Sequence, residues 1–258
     1  MRIPGPVLGV IHLLPLPGSP TPSARLDKAL ERAVADARAY ADGGVDALII
    51  ENFGDSPFGK GALPPETVAG FTLCADAVRN AVSLPLGINA LRNDARSALG
   101  IAGAVGAALI RVNVHAGVVA TDQGLIEGDA AETVRLRAAL RSKVAIAADV
   151  HVKHGRTLNS DCIASAARDL VSRAHADAVI VSGSGTGQAT ALKDLEDVRD
   201  SIGNKPLLVG SGANADNVAD LLSIADGVIV GTSLKKAGRT TNAVDPARVA
   251  RFVRRARR

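Results

Sequence analysis

Tryptophan is absent from the 258 residues, tyrosine occurs once and phenylalanine four times. A core so poor in rings must be built from Ala, Val, Leu and Ile, which suits helices packed closely on a parallel sheet. It also argues against a ring platform for a flavin. Cysteine is nearly absent too. Cys74 and Cys162 are far apart, lie in helix-like segments and flank no metal-ligand spacing. Both are read as small buried apolar residues of a reduced, cytoplasmic protein. No apolar run is long enough to span a bilayer. Leu99 to Ile110 is short and carries glycines, and Val7 to Leu16 is broken by His12 and Pro15, unlike a signal peptide. A soluble chain is expected. The charge excess is small at +4, and much of it sits in Arg254, Arg255, Arg257 and Arg258. Without rings beside them these arginines read as the solvated end of a terminal helix, facing the negative end of its dipole. Neither a nucleic-acid partner nor a peripheral membrane contact is expected.

What is present is a globular balance, 47% hydrophobic and 22% charged, which excludes overall disorder. Short β-branched runs alternate with longer helical patterns. Strands are predicted at Leu8–His12, Ala47–Asn52, Pro85–Asn89, Ala108–Val114, Val144–Val150, Ala178–Ser182, Pro206–Gly210 and Gly227–Gly231. Helices are predicted at Arg25–Asp42, Pro65–Val82, Ala95–Gly103, Ala131–Arg141, Ser160–Ala174, Ala191–Ser201, Ala215–Ser223 and from Pro246 onward. Pro65 and Pro246 fall where a missing N–H is harmless, at helix starts. In the last helix Val249, Phe252, Val253 and Ala256 form one apolar stripe. Eight βα units in one unbroken domain, residues 1–258, point to a closed (β/α)₈ TIM barrel. An open doubly wound sheet is the alternative.

In such a barrel the chemistry gathers at the C-terminal ends of the strands. The first strand ends in His12, the second in Glu51-Asn52 and the third in Asn89. Because alternate residues share a face, Arg111, Asn113 and His115 are predicted to point inward together, as are Asp149, His151 and Lys153. Leaving so many polar groups unpaired in an interior would cost several kcal/mol, so they form either a ligand site or a self-satisfied ionic plug. Across the mouth lie three glycine turns: Ser182-Gly183-Ser184, Gly210-Ser211-Gly212 and Gly231-Thr232-Ser233. Glycines let backbone amides approach an oxyanion, and the turns after the seventh and eighth strands are the usual phosphate site of these barrels. Tight turns with no ligand are the bland reading. The segment from His115 to Asp129 is read either as a lid hinged at Gly117, Gly124 and Gly128, bringing Asp122, Gln123 and Glu127 to a ligand, or as a packed Ω-loop.

Several stretches together resemble the BtpA family, which includes the SgcQ-type proteins. They are Gly9-Val10-Ile11-His12-Leu13-Leu14-Pro15-Leu16-Pro17-Gly18, Glu51-Asn52-Phe53-Gly54-Asp55-Ser56-Pro57-Phe58, Arg111-Val112-Asn113-Val114-His115-Ala116-Gly117, Thr121-Asp122-Gln123-Gly124-Leu125-Ile126-Glu127-Gly128 and Asp149-Val150-His151-Val152-Lys153-His154, with the glycine turns. The resemblance covers nearly the whole chain. It implies a ribulose-phosphate-binding type of barrel, with one branch linked to photosystem I accumulation and others found in sugar-utilisation contexts. It carries no catalytic assignment.

Three functions follow. The first is an enzyme for a phosphorylated sugar or related metabolite, with isomerase, epimerase or aldolase chemistry. Glu51, Asp149 and His151 would then serve as acid–base groups, with Lys153 as enolate stabiliser or Schiff-base amine. Arg111 and Asn113 complete the catalytic set. His12, Asn52, Asn89, His115, Asp122, Gln123 and the turn residues hold substrate and phosphate. A divalent metal on Glu51, Asp149 and His151 is a variant, and the cofactor is otherwise unknown. The second is a non-catalytic assembly or stability factor, such as one for photosystem I. The third is a nucleotide- or flavin-phosphate-binding barrel. A small phosphorylated ligand and a homo-oligomeric state are expected.

Overall fold

The computed structural model describes residues 5–21, 25–152, 154–158, 162–183 and 190–257. Eight parallel strands close into a barrel, which decides against the open sheet. In chain order the barrel strands are β1 (Val7–His12), β2 (Ala47–Glu51), β3 (Leu86–Asn89), β4 (Leu109–Val112), β7 (Ala145–Val150), β9 (Ala178–Val181), β10 (Leu207–Val209) and β11 (Gly227–Val230). Each follows its chain neighbour around the ring, and β1 pairs with β11 to close it.

Strand period 2 sorts the side chains. Leu8, Val10, Ala47, Ile49, Leu109, Ala145, Ala147, Ala178, Ile180, Leu208 and Ile229 fill the barrel interior as one cluster. Val7, Ile11, Leu48, Ile50, Ile88, Ile110, Val179 and Val228 face outward and pack with the helices in a larger one. That outer layer consists of α1 (Leu26–Asp42), α2 (Pro65–Ala81), α3 (Ala95–Val105), α4 (Ala130–Ala139), α5 (Ile163–Ser172), α6 (Leu192–Ile202), α7 (Val218–Leu222) and α8 (Pro246–Ala256). The predicted stripe of α8 is its buried face, through Val249, Phe252 and Val253. Arg257 donates to the Gly44 carbonyl at 2.9 Å and to Asp46 at 3.2 Å, tying the end of α8 to the turn before β2.

Two features depart from the sequence reading. The segment after β4 is neither a bare lid nor an Ω-loop. It folds into the hairpin β5 (Val118–Thr121) and β6 (Gly124–Glu127), and β8 (Gly155–Thr157) joins its other edge. This antiparallel flap has its own small core of Val114, Val119, Ile126 and Val152. Cys74 is buried as expected, and burial pushes its thiol up to about 12, but Cys162 is exposed at the N-cap of α5. Among the described residues no helix is long and apolar enough to cross a membrane.

Candidate functional site

The inward parity that makes the barrel core apolar continues one step further at the C-terminal end of every strand. The last inward positions are His12, Glu51, Asn89, Arg111, Asp149, Ser182, Gly210 and Gly231, with His12 beside Glu51 and Glu51 beside Asn89 in register. Polar side chains thus occupy β1 to β4, β7 and the end of β9. The last two strands contribute glycines. The floor of the mouth is polar on one side and bare backbone on the other.

One ionic brace organises the polar side. Arg111 and Asp149, both buried, form a two-point pair, Nη2 to Oδ1 at 2.8 Å and Nε to Oδ2 at 3.0 Å. Asp149 also accepts from Asn113 at 2.8 Å and Ser182 at 3.0 Å. Asn89 in turn donates to Asn113 Oδ1 at 3.0 Å and to the Arg111 carbonyl at 3.2 Å. Burial opposes the Arg111 charge, but Asp149 outweighs it and the guanidinium is held above its ordinary value. With four donors on its two oxygens, Asp149 is saturated. It holds Arg111 and Asn113 in place, with no oxygen lone pair left for a ligand.

Glu51 is 7% exposed, and its carboxylate makes no hydrogen bond or ion pair among the described residues. The positive charges of Arg111 and Arg92 both act on it. Arg92, on the segment after β3, is 5% exposed. Burial lowers its pKa, while the carboxylates of Asp149, Asp122 and Glu51 oppose that shift. The Glu51 carboxylate thus faces the mouth beside two guanidinium groups, with no hydrogen-bond donor among the described residues.

Glu51, Phe53 and Arg111 line two adjoining lobes. The proximal lobe, about 260 Å³, lies under the glycine turns and includes His12, Gly210, Ser211, Gly212, Gly231, Thr232 and Ser233. The backbone N–H groups of Gly212, Ala213, Thr232 and Ser233 donate to no other group among the described residues. Ser233 Oγ donates to the Ala213 carbonyl at 2.8 Å, and Thr232 and Thr240 share a hydroxyl contact at 2.9 Å. A Cβ at 231 would lie 2.5 Å from His12 Cε1, and one at 210 would lie 2.5 Å from Ser182 Oγ and 3.1 Å from Arg111 Nη2. Glycine at these two positions is what lets the polar side and the turns approach each other. The distal lobe, about 490 Å³, runs under the flap and is lined by Glu51, Phe58, Arg92, Asn113, Asp122 and Gln123 together with Phe53, Leu91, Arg111 and His154.

Several predicted site residues lie elsewhere. Asn52 is fully buried and committed to the loops, accepting from Leu91 N at 2.7 Å and donating to Asp55 at 3.0 Å. Asn89 and Ser182 brace the floor, and Gly183 lines neither lobe. The shared face of Arg111, Asn113 and His115 stops at Asn113, because β4 ends at Val112 and Asn93 grips both backbone groups of Val114. His115 turns outward, donates from Nε2 to the Ala174 carbonyl at 3.0 Å, and has its pKa lowered by burial. Likewise β7 ends at Val150, and His151, at φ 49°, lines a smaller cavity with Asn113, Asp149 and Leu170, one that Glu51 does not reach. Glu51, Asp149 and His151 therefore do not converge as metal ligands, and no other group of three such residues does so among the described residues. Lys153 and Ser184 lie outside the described residues, and Glu127 is an exposed residue of β6. Arg92, Phe53, Phe58 and His154 were not predicted as site residues. Arg92 had one signal, as the first charge after a strand end.

Comparisons with known proteins agree with this architecture. The family model described as "BtpA family" matches residues 4–258. A photosystem I biogenesis protein, BtpA, of Synechocystis is 50% identical over 96% of this chain and 86% of that protein. Two solved structures from Pyrococcus furiosus share the fold. A thiamine phosphate pyrophosphorylase superimposes with a TM-score of 0.62 at 12% identity, over 98% of this chain and 96% of that one. An N-(5'-phosphoribosyl)anthranilate isomerase gives 0.61 at 18% identity, over 98% of both chains.

Proposed function

The chain belongs to the BtpA family, and we propose that this member is an enzyme that binds a phosphorylated sugar or sugar-like metabolite and moves a proton on it. The observation that carries the reading is Glu51. It is a buried carboxylate without a hydrogen-bond partner, between the glycine turns and two guanidinium groups. The phosphate binds in the proximal lobe against the open amides of Gly212, Ala213, Thr232 and Ser233. Glu51 then takes the proton from a carbon next to a carbonyl. The charge moves to the carbonyl oxygen, which Arg92 and Asn113 face. In a hydroxy-carbonyl sugar, transfer of the hydroxyl proton on the deprotonated carbon to the former carbonyl oxygen, and return of the Glu51 proton to the former carbonyl carbon, restore Glu51 and leave an isomer. His12, in the same lobe, is the second titratable group. Two fold neighbours whose names contain a phosphate compound support the substrate class.

The test is solvent exchange. Sugar phosphates incubated with the protein in D₂O should lose the signal of one carbon-bound hydrogen. Glu51→Gln should slow that loss by about 10²- to 10⁴-fold, the usual worth of a general base. The substitution should destabilise the fold less than Asp149→Asn, because the carboxylate it removes faces the same guanidinium groups but accepts no hydrogen bond among the described residues. Exchange that is absent for every sugar phosphate, or untouched in Glu51→Gln, would overturn the reading.

The name of the Synechocystis relative favours a second reading, a role in assembly. Complementation separates the two. Glu51→Gln should abolish function if catalysis matters. Charge reversal of Arg254 and Arg255, exposed on α8, should do so if a docking surface matters.

A further inference from the structure

Phosphate in the proximal lobe and a sugar at Glu51 leave the larger distal lobe without an occupant. Its walls are unlike the rest of the protein. The chain has only five aromatic side chains, four Phe and one Tyr, and two of them, Phe53 and Phe58, stand in this lobe. Both are half-buried, and neither belongs to the hydrophobic clusters, whereas Phe71 and Phe252 are core residues. The flap tip supplies the polar edge. Gln123 donates through Nε2 to Asp122 Oδ2 at 2.5 Å, which leaves Asp122 Oδ1 and Gln123 Oε1 as acceptors, and Gln123 Oε1 has no hydrogen-bond donor among the described residues. Arg92 supplies a cation on the same wall. Apolar ring faces, a cation and acceptors at one rim match a flat heterocycle that carries N–H donors.

We infer that the ligand of this site is a sugar phosphate bearing a planar nitrogen heterocycle, with the phosphate in the proximal lobe, the sugar at Glu51 and the ring between Phe53, Phe58 and the Asp122-Gln123 tip. This inference rests on the phosphate-sugar reading above and narrows it. Phe58 lies outside the core, so Phe58→Ala should leave the fold intact.

Calorimetric titrations of the purified protein with inorganic phosphate, ribose 5-phosphate, adenosine 5′-monophosphate and guanosine 5′-monophosphate test it. At least one nucleotide should bind about tenfold or more tightly than ribose 5-phosphate, the scale of one stacked ring. Phe58→Ala should erase that gain while ribose 5-phosphate affinity changes less than about twofold. Gln123→Ala should reduce it in the same direction. If ribose 5-phosphate binds and neither nucleotide binds more tightly, or the gain survives in Phe58→Ala, the heterocycle is wrong and the phosphate-sugar reading stands. If neither phosphate nor ribose 5-phosphate binds, both readings fall together.

Discussion

Asp149 and Glu51 are both inward carboxylates at strand ends, and only their surroundings tell them apart. Asp149 accepts four hydrogen bonds and neutralises a buried guanidinium, whereas Glu51 accepts none among the described residues. Replacing Asp149 with Asn strands the Arg111 charge, so urea unfolding should report a loss of about 3–5 kcal/mol. His115 makes a prediction of the opposite kind. Burial lowers its pKa from the ordinary 6.5, so the unfolded chain takes up the proton first as pH falls. Its contribution to stability is complete above 6.5 and is lost as pH drops from there towards the folded value. His115→Gln keeps a donor for the Ala174 carbonyl and should flatten that part of the unfolding free energy measured across pH 5 to 7.5. Parity sufficed to foresee Glu51, Arg111 and Asp149 as inward groups. It could not foresee which carboxylate would be saturated, because that depends on Asn113 and Ser182 arriving from two other strands.

At the scale of elements, the eight barrel strands lie within two residues of their predicted bounds, since each is a short β-branched run between helical patterns. The flap was not legible in the same way. Its strands are three or four residues long, and β8 pairs with β5 across the whole of α4 and β7. Alternation also fails just past a strand end, which is why His115 and His151 were misplaced. The flap stands on its own core, so Ile126→Ala, a change that costs about 2–5 kcal/mol in a packed interior, should act locally. Amide hydrogen exchange should speed up over residues 118–127 and 155–157. The barrel strands should keep their protection, and their loosening would mean that the flap and barrel unfold as one.

Over the whole molecule, charge is kept away from the apolar layers except at built pairs. Lys235, two residues past the Gly231-Thr232-Ser233 turn, lies fully buried beside Asp36 at 3.0 Å, where α1 meets the segment leading to α8. Asp36 accepts from Val244 N at 2.8 Å as well, so the same carboxylate anchors two turns of chain. No local pattern could announce this pair, because its partners are separated by most of the sequence.

The pairing of β1 with β11 has a consequence for biosynthesis. Val7 must wait for Val228 before its strand has neighbours on both flanks. Until the ribosome releases that last rung, the nascent sheet carries two raw margins, on β1 and β10, each a template for another chain. The hazard lasts from the synthesis of β1 to that of β11, and it ends in a single stroke when the ring shuts.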